Sequence, residues 1–589
     1  MRDVSLVTTA LEEFWDTSKP VVFLGEWCRR YSRRVAWGSL GDEVLPALWN
    51  DRAAFLKAYA YVNDVYENYL RLLSDTLNAI HGRRCSDRYW RIVAGPWLFH
   101  YIHILYDRYC SIVQAEKLYP AFTSVGLSTE NHVTPESTLN FIELVGDDLY
   151  NLQLYTNILK FQGNDIACMK YDFKKCPLPR TKAGRSICSA LKNGTSILAC
   201  NVISSLRKKR PIVLREVYLP RREQMKLFLK TGFRMWPHHG RTDEYSSRPT
   251  DHAVRDSIVL NAGSEDRFAR LLSRMLPGDI PKSLVEDYIA IEDGVGKAYP
   301  RDVSAIVSAV SWYFDESFKC WAAGESERGA KLIGIQHGGN YGIDEPFQCE
   351  EHELKISDYY STWGWKKSAG GATTISSVAT KLAGRKKIHA SNAEEGLLYV
   401  GTSSLRYLIR FQNMTSCKYS AYIEWQLRFL ATLTGDLRSK LRVRLHHNDY
   451  GWDMRERLLS QYPDLNIESW SQSYEGSLRK SRICIINNLS TTYTEALSVN
   501  KPTILFWDPE TYRLRDEAKP YFKELYDNGL LYESPESAAY ALKSVYDDVE
   551  GWWNENARQA AVKRFCGIFA RTSPDAVDLW AKEIIRCVQ

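Results

Sequence analysis

The chain has 589 residues, 44% hydrophobic and 25% charged, the balance of a folded protein and not of a disordered one. At roughly 100–200 residues per domain it holds two to four domains. Its net charge of +6 is too mild for the basic stripe of a nucleic-acid binder, but it suits anionic phosphates in a cleft or weak attraction to an anionic membrane face. No run of about 18 apolar residues predicts a spanning helix, and the N-terminus lacks the apolar stretch of a signal peptide. The 13 cysteines contain no C-x-x-C pair, against a zinc ribbon or a thioredoxin-like site; the irregular set fits reduced thiols in a cytoplasm. Aromatics reach 12%, which reads first as large aromatic cores and second as surfaces that stack on sugars.

Residues 20–27 (PVVFLGEW) predict a buried strand that ends in a Gly turn. Residues 53–79 and 89–113 carry apolar residues at helical spacing, the second with a break at Gly95-Pro96. Residues 115–210 read as mixed and largely helical, 211–218 as a strand, and 234–255 as a polar loop. From 302 the pattern is strand (303–310), helix (315–328) and strand (331–336). Residues 366–394, rich in Ser, Gly, Thr, Lys and Ala, read as an interdomain linker. A second alternation follows: strands at 397–400, 441–445, 482–486 and 503–506, helices at 421–433, 453–460 and 492–499, then a helical end at 535–588. Such alternation argues for parallel sheets. The expected fold class is α/β, two Rossmann-like domains facing a cleft, with a helix-rich N-terminal part; the domains are 1–380 and 381–589.

Three strand ends carry candidate chemistry, since ligands of open α/β sheets lie outside the carboxyl ends of the strands. The first is Gln336-His337-Gly338-Gly339-Asn340-Tyr341-Gly342. His337 titrates near neutrality and can take a proton from an attacking hydroxyl; a turn histidine with a purely structural role fits the same residues. The second runs from Arg442 to Gly451. His446 can donate to a phosphate oxygen, Asp449 and Gly451 shape the loop, and Arg442 and Arg444 share a strand face. A metal on His446 and His447 is disfavoured, because neighbours on an extended segment point apart. The third is Ser490-Thr491-Thr492 before a helix, with Glu495 one turn in. Unpaired N–H groups at a helix start bind phosphate; Thr492-x-x-Glu495 also reads as a capping box, which needs no ligand. Glu26, ending the first strand, is a candidate acceptor-positioning group or alternative base, or a plain turn carboxylate. Asp315 and Glu316 read as helix caps first.

In order, Gln336-His337-Gly338, Leu445-His446 and Ser490-Thr491-Thr492 with Glu495-Ala496-Leu497 and Lys501-Pro502 resemble the GT-B arrangement of capsule-polysaccharide and teichoic-acid transferases. His447 departs from that pattern, standing where Pro is usual. The whole chain is similar to a transferase family of bacterial O-antigen and surface-polysaccharide loci, through Leu24-Gly25-Glu26-Trp27-Cys28, Arg88-Tyr89-Trp90-Arg91-Ile92, Asp358-Tyr359-Tyr360, Asn448-Asp449-Tyr450-Gly451-Trp452 and Leu505-Phe506-Trp507-Asp508. The resemblance implies a metal-independent glycosyltransferase. It needs no cofactor beyond a nucleotide-sugar co-substrate, such as a CMP-linked ulosonic acid (Kdo-type), and serves lipopolysaccharide, O-antigen or capsule synthesis. His337 would be the base; Gln336, Gly338, Gly339 and Tyr341 would shape the acceptor loop. His446, Ser490, Thr491 and Thr492 would hold the donor phosphate, Glu495 would face the nucleoside, and Arg442 or Arg444 would meet a sugar carboxylate. The implied partners are the donor and an oligosaccharide or lipid-linked saccharide acceptor, with no nucleic acid, in the cytoplasm or at the inner-membrane face. The rival readings are a CDP-polyol phosphotransferase, a nucleotide-sugar epimerase and a non-catalytic saccharide-binding scaffold.

Overall fold

A computed structural model describes residues 3–41, 43–172, 210–239, 247–260, 266–367, 371–388 and 396–589. The chain divides into two compact units. The first comprises Met1–Glu216, Phe228–Leu332 and Arg406–Phe411; the second comprises Val217–Leu227, Ile333–Leu405 and Gln412–Gln589.

The first unit is mainly helical. Its small parallel sheet joins β1 (Val4–Val7), β2 (Val21–Phe23) and β3 (Phe122–Thr123), and β4 (Val125–Leu127) pairs with β5 (Ala167–Met169). A second parallel set places β6 (Ile212–Arg215) between β7 (Met235–Pro237) and β8 (Ala305–Ser308). Three long helices fill the unit: α1 (Arg52–His81), α2 (Gly95–Leu118) and α3 (Asp148–Gln162). Helix α1 is amphipathic and starts on Asp51, whose carboxylate accepts from Ala54 N at 2.6 Å, an N-cap. Helix α2 is buried nearly all round, with Trp97, Phe99, Tyr101, Ile102 and Leu105 at 0% exposure; each such side chain contributes roughly 1.5–3 kcal/mol of burial. Helix α4 (Glu316–Glu327) is capped by Asp315, which accepts from Phe318 N. Arg406, which opens the short Arg406–Phe411 segment, pairs with Asp148 at 2.5 Å.

Strand β9 (Lys331–Ile335) carries the chain into the second unit, where β10 (Tyr359–Thr362) pairs in parallel with its Ile333–Ile335 and with β11 (Thr373–Ser376). Helix α5 (Gln348–Ile356) connects β9 to β10. The larger sheet is wholly parallel. In chain order its strands are β12 (Leu397–Val400), β13 (Leu441–Arg444), β14 (Asn466–Ile467), β15 (Ile483–Ile486), β16 (Thr503–Phe506) and β17 (Leu531–Tyr532); side by side they run β14-β13-β12-β15-β16-β17. Strands β12, β15 and β16 are buried at every position, as unbroken apolar strands covered on both faces must be. Helix α6 (Ser416–Thr432), with Tyr419, Phe429 and Leu430, packs on them with Leu397, Ile485 and Phe506. Helix α7 (Met454–Gln461) follows the end of β13 and helix α8 (Thr491–Ser498) the end of β15. The strand order reverses between β12 and β15, and such a reversal opens a crevice at the carboxyl ends of the strands.

Two expectations need correction. The described part of 366–394 is not a bare linker: Thr373–Ser376 is a strand, and Val378, Ala379 and Leu382 are buried, because the β-branched Thr373, Thr374 and Ile375 continue the sheet edge; residues 368–370 and 389–394 lie outside the described residues. Part of the supposed loop 234–255 is the strand Met235–Pro237 and the short helix His252–Asp256; its residues 240–246, like 173–209 of the mixed region, lie outside the described residues. No described helix is long and apolar enough to cross a membrane.

Candidate active site

The loop after β9 is bolted to its surroundings. Gln336 is 1% exposed. Its carbonyl side-chain oxygen accepts from Trp363 N at 2.7 Å and Trp365 Nε1 at 2.8 Å, and its amide donates to Gly338 O at 2.9 Å. That is a structural clamp, which leaves no part of Gln336 for an acceptor. The next residues lie directly against the start of α8. Gly339 N donates to Thr491 Oγ1 at 3.2 Å, Asn340 Nδ2 donates to Leu489 O at 2.7 Å, and Tyr493 Oη donates to Gly339 O at 3.2 Å. A methyl on Gly339 would stand 2.7 Å from Ser490 O, so only glycine permits this approach. A methyl on Gly338 would stand 3.5 Å from the Thr491 hydroxyl, an ordinary contact. The first and third constellations of the sequence are therefore one site within the second unit.

His337 stands at the open side of that loop, its side chain 22% exposed, and stacks on the Tyr218 ring at 6.2 Å. Below it lies a carboxylate that the sequence did not single out. Glu353, on α5, has no exposed surface, and its two oxygens accept from Tyr341 Oη at 2.6 Å and Tyr360 Oη at 2.7 Å. Burial, then the charge of Glu353, pushes both phenols well above the ordinary tyrosine range, so each remains a donor. Tyr341 was expected in an acceptor loop; it is 2% exposed, and its hydroxyl proton is committed to Glu353.

Helix α8 begins on Ser490, whose side chain makes no capping bond to the helix. The Ser490 hydroxyl turns to Asn488 Oδ1 at 2.5 Å and lies 3.0 Å from Thr492 Oγ1. The capping box expected of Thr492 and Glu495 does not form. The Glu495 carboxylate goes instead to Arg385 at 2.9 Å and Lys381 at 3.6 Å. The positive dipole end of α8 thus has no cap from the Ser490 side chain, and the Glu495 carboxylate one turn in is paired with two cations from residues 366–394. Lys501 is buried and donates to Ser481 O, a structural role.

The second constellation lines a cavity of about 780 Å³ at the ends of β12, β13 and β14, with Ser403, His446, His447, Asp449, Glu468 and Trp470 in its wall. Burial holds the His446 imidazole below its usual range, which favours the neutral ring. Its Nδ1 lies 3.0 Å from Asn448 O. The His446 and His447 rings are 4.4 Å apart and do not point oppositely, because both follow the last residue of β13. Among the described residues no group of three or more His, Cys, Asp or Glu could hold a metal ion. Asp449 accepts from the backbone of Asp453 and Met454 and so fixes the start of α7. Arg442 and Arg444 do share a face, since both reach Ser477, but Arg444 is committed to Glu468 at 3.0 Å. Its guanidinium lies 4.2 Å from the Trp470 ring, which is 51% exposed. Glu26, in the first unit, lies on a single turn (Glu26–Cys28) and pairs with Arg29 at 2.7 Å.

One family model matches residues 4–584, nearly the whole chain, and describes a LIC12162 family transferase. The chain belongs to this family. The transferase has no match among curated proteins. Of solved structures, it is similar to the S. aureus MnaA–UDP co-structure (11% identity, covering 64% of this chain and 96% of that one, TM-score 0.35). It is also similar to a mutant O-GlcNAc transferase from Thermobaculum terrenum (11% identity, 89% and 98% covered, TM-score 0.32) and to Acinetobacter baumannii MurG (10% identity, 64% and 99% covered, TM-score 0.34). Likenesses this distant carry no argument about chemistry.

Proposed function

We propose that this transferase moves a sugar from a nucleotide-activated donor to a saccharide hydroxyl in surface-polysaccharide synthesis, by GT-B-type chemistry. The observation that carries the reading is the contact of the His337 loop with the uncapped start of α8: a proton acceptor and an anion cradle share one site. The donor phosphates would sit at the N–H groups of Ser490–Thr492; Lys381 and Arg385, which pair with Glu495 one turn in, would have to exchange that carboxylate to meet a phosphate or a sugar carboxylate. The nucleoside would occupy the cavity, its base against Trp470. His337 would take the proton of the acceptor hydroxyl as that oxygen bonds to the anomeric carbon. The bond from that carbon to the donor phosphate oxygen would break, its electrons leaving on the phosphate.

A thermal-shift panel of CMP, CDP, UDP, GDP and dTDP, followed by donor-cleavage assays with the nucleotide that binds, tests the proposal. A ligand at one hundred times its Kd should stabilise the protein by about 2.7 kcal/mol. Silence across the whole panel, or binding without any donor cleavage in the presence of saccharide acceptors, would sink it. CMP release from a CDP-polyol, with the polyol phosphate joined to the acceptor hydroxyl, would transfer the same site to the phosphotransferase reading.

A further inference from the structure

We infer that Glu353 and Tyr341 are positioning residues for His337, forming a buried carboxylate–phenol–imidazole relay. The inference rests on the reading of His337 as the base. Tyr341 Oη lies 3.2 Å from Nε2 and 3.3 Å from Nδ1 of His337, and 2.6 Å from Glu353 Oε1. The hydroxyl has one proton and donates it in a hydrogen bond to the carboxylate, which leaves its lone pairs for the imidazole. The Glu353 carboxylate itself stands 3.9 Å from Nδ1. When His337 takes a proton from the acceptor hydroxyl, the new positive charge is met by the phenol oxygen and, behind it, by a negative charge that no water screens. No proton passes to Glu353: the step ends with imidazolium, phenol and carboxylate, and the proton leaves from the exposed side of the ring.

The relay is held from outside. Tyr360, on β10, donates to the second oxygen of Glu353 at 2.7 Å, so the carboxylate cannot swing away. Tyr341 and Tyr360 stack 6.2 Å apart, and Tyr341 meets Phe347 edge-on at 4.9 Å. His337 also stacks on Tyr218, and the Lys381 ammonium lies 5.4 Å from that ring. His337 and Tyr341 share one loop, Glu353 comes from α5 and Tyr360 from β10, and their polar contacts meet at the Tyr341 hydroxyl and the Glu353 carboxylate. Two hydroxyls satisfy that carboxylate, and one of them is aimed at the catalytic ring.

Steady-state kinetics and pH profiles of the full-length enzyme separate this inference from the reading beneath it. In Tyr341→Phe, kcat should fall about tenfold or more with KM for donor and acceptor unchanged. In Glu353→Gln, which keeps the shape, the acid limb of kcat/KM should move to lower pH, because an imidazolium without its nearby carboxylate gives up the proton more readily. Tyr360→Phe leaves the His337 contacts in place and should act more weakly than either. If His337→Ala is inactive while Tyr341→Phe keeps its kcat and Glu353→Gln keeps the wild-type acid limb, the relay is wrong and the base survives. If His337→Ala transfers normally, the base reading fails first. Should Glu353→Gln fail to fold, Tyr341→Phe decides alone: an unchanged kcat overturns the relay.

Discussion

Two strand ends of the second unit make opposite use of the same geometry. After β9 the chain turns at once into a lattice of internal hydrogen bonds: Gln336 to Trp363 and Trp365, Gly339 to Thr491, and Asn340 to Leu489. After β13 the chain opens, and His446, His447 and Trp470 wall a cavity of about 780 Å³. The first end is stiff and holds a single imidazole toward solvent. The second offers a half-exposed aromatic face and unclaimed volume. Chemistry tolerates little displacement of the reacting groups, whereas a flat heterocycle can be held by stacking and shape. Under the proposed function, the bond-making step would fall to the stiff end and recognition to the open one.

The strongest way to break that division is at His337. Replacing it by alanine should lower turnover roughly 10²–10⁴-fold, the usual worth of a general base. Nucleotide binding, read by thermal shift, should stay unchanged. Loss of nucleotide binding would mean that the two ends are not separable. Next comes Gly339→Ala, which adds one methyl 2.7 Å from Ser490 O and 3.1 Å from Thr491 Cα. Both are backbone atoms and cannot yield as a flexible side chain would. The loop and α8 must part, at a cost of about 1–3 kcal/mol in stability. Turnover should fall roughly 10²-fold through misplacement of the base. A variant with a lower melting temperature but full turnover would show that the contact is structural only.

At the open end, Trp470→Ala should raise donor KM roughly tenfold with little change in kcat, since stacking on an aromatic is worth about 1–3 kcal/mol per base. A fall in kcat instead would move Trp470 toward the reacting centre. Arg444 should respond differently from Arg442. It is tied to Glu468 and lies against Trp470, so its loss would act through the cavity wall, not through a lost ligand contact.

What the sequence made legible follows from range. The strands Leu397–Val400 and Thr503–Phe506 read correctly because an unbroken apolar run needs no tertiary information. The strand-end residues His337, His446 and Ser490 could be found by the rule that ligands gather at carboxyl ends of parallel strands. Glu353 could not. Residues 348–356 read QCEEHELKI, a polar surface helix by composition, and only the fold shows that its glutamates at 350 and 353 are buried. Their satisfaction comes from groups scattered through the second unit: Tyr341 and Tyr360 for Glu353, Arg515 and Gly342 N for Glu350. The commitments of Arg444 and Glu495 were hidden for the same reason, because Glu468 and Arg385 lie 24 and 110 residues away. The Thr373–Ser376 edge strand was masked by Ser, Gly and Lys neighbours, although two threonines and an isoleucine were its signal.

The smallest effect tests the stiffness itself. Asp344 is 3% exposed. It accepts from the same Asn340 amide that reaches Leu489, at 2.7 Å. Burial pushes its carboxyl up to about 7; the Asn340 hydrogen bond, the Arg515 charge and Asn413 hold it lower than burial alone would, and Glu350 adds to the rise. The folded protein therefore keeps this proton to a higher pH than the unfolded chain does. The stability contributed by the protonated form is fully present below about pH 4 and is lost as the pH rises through about 7. Asp344→Asn imitates the protonated carboxyl at every pH. Its melting temperature should match the wild type near pH 4 and exceed it by a few degrees at pH 8. If the loop's stiffness depends on this proton, the His337 loop of the wild type should also exchange its amide hydrogens faster at pH 8 than in the variant, after correction for intrinsic rates. Equal exchange in the two proteins would leave the stiffness to Gln336 and Gly339 alone.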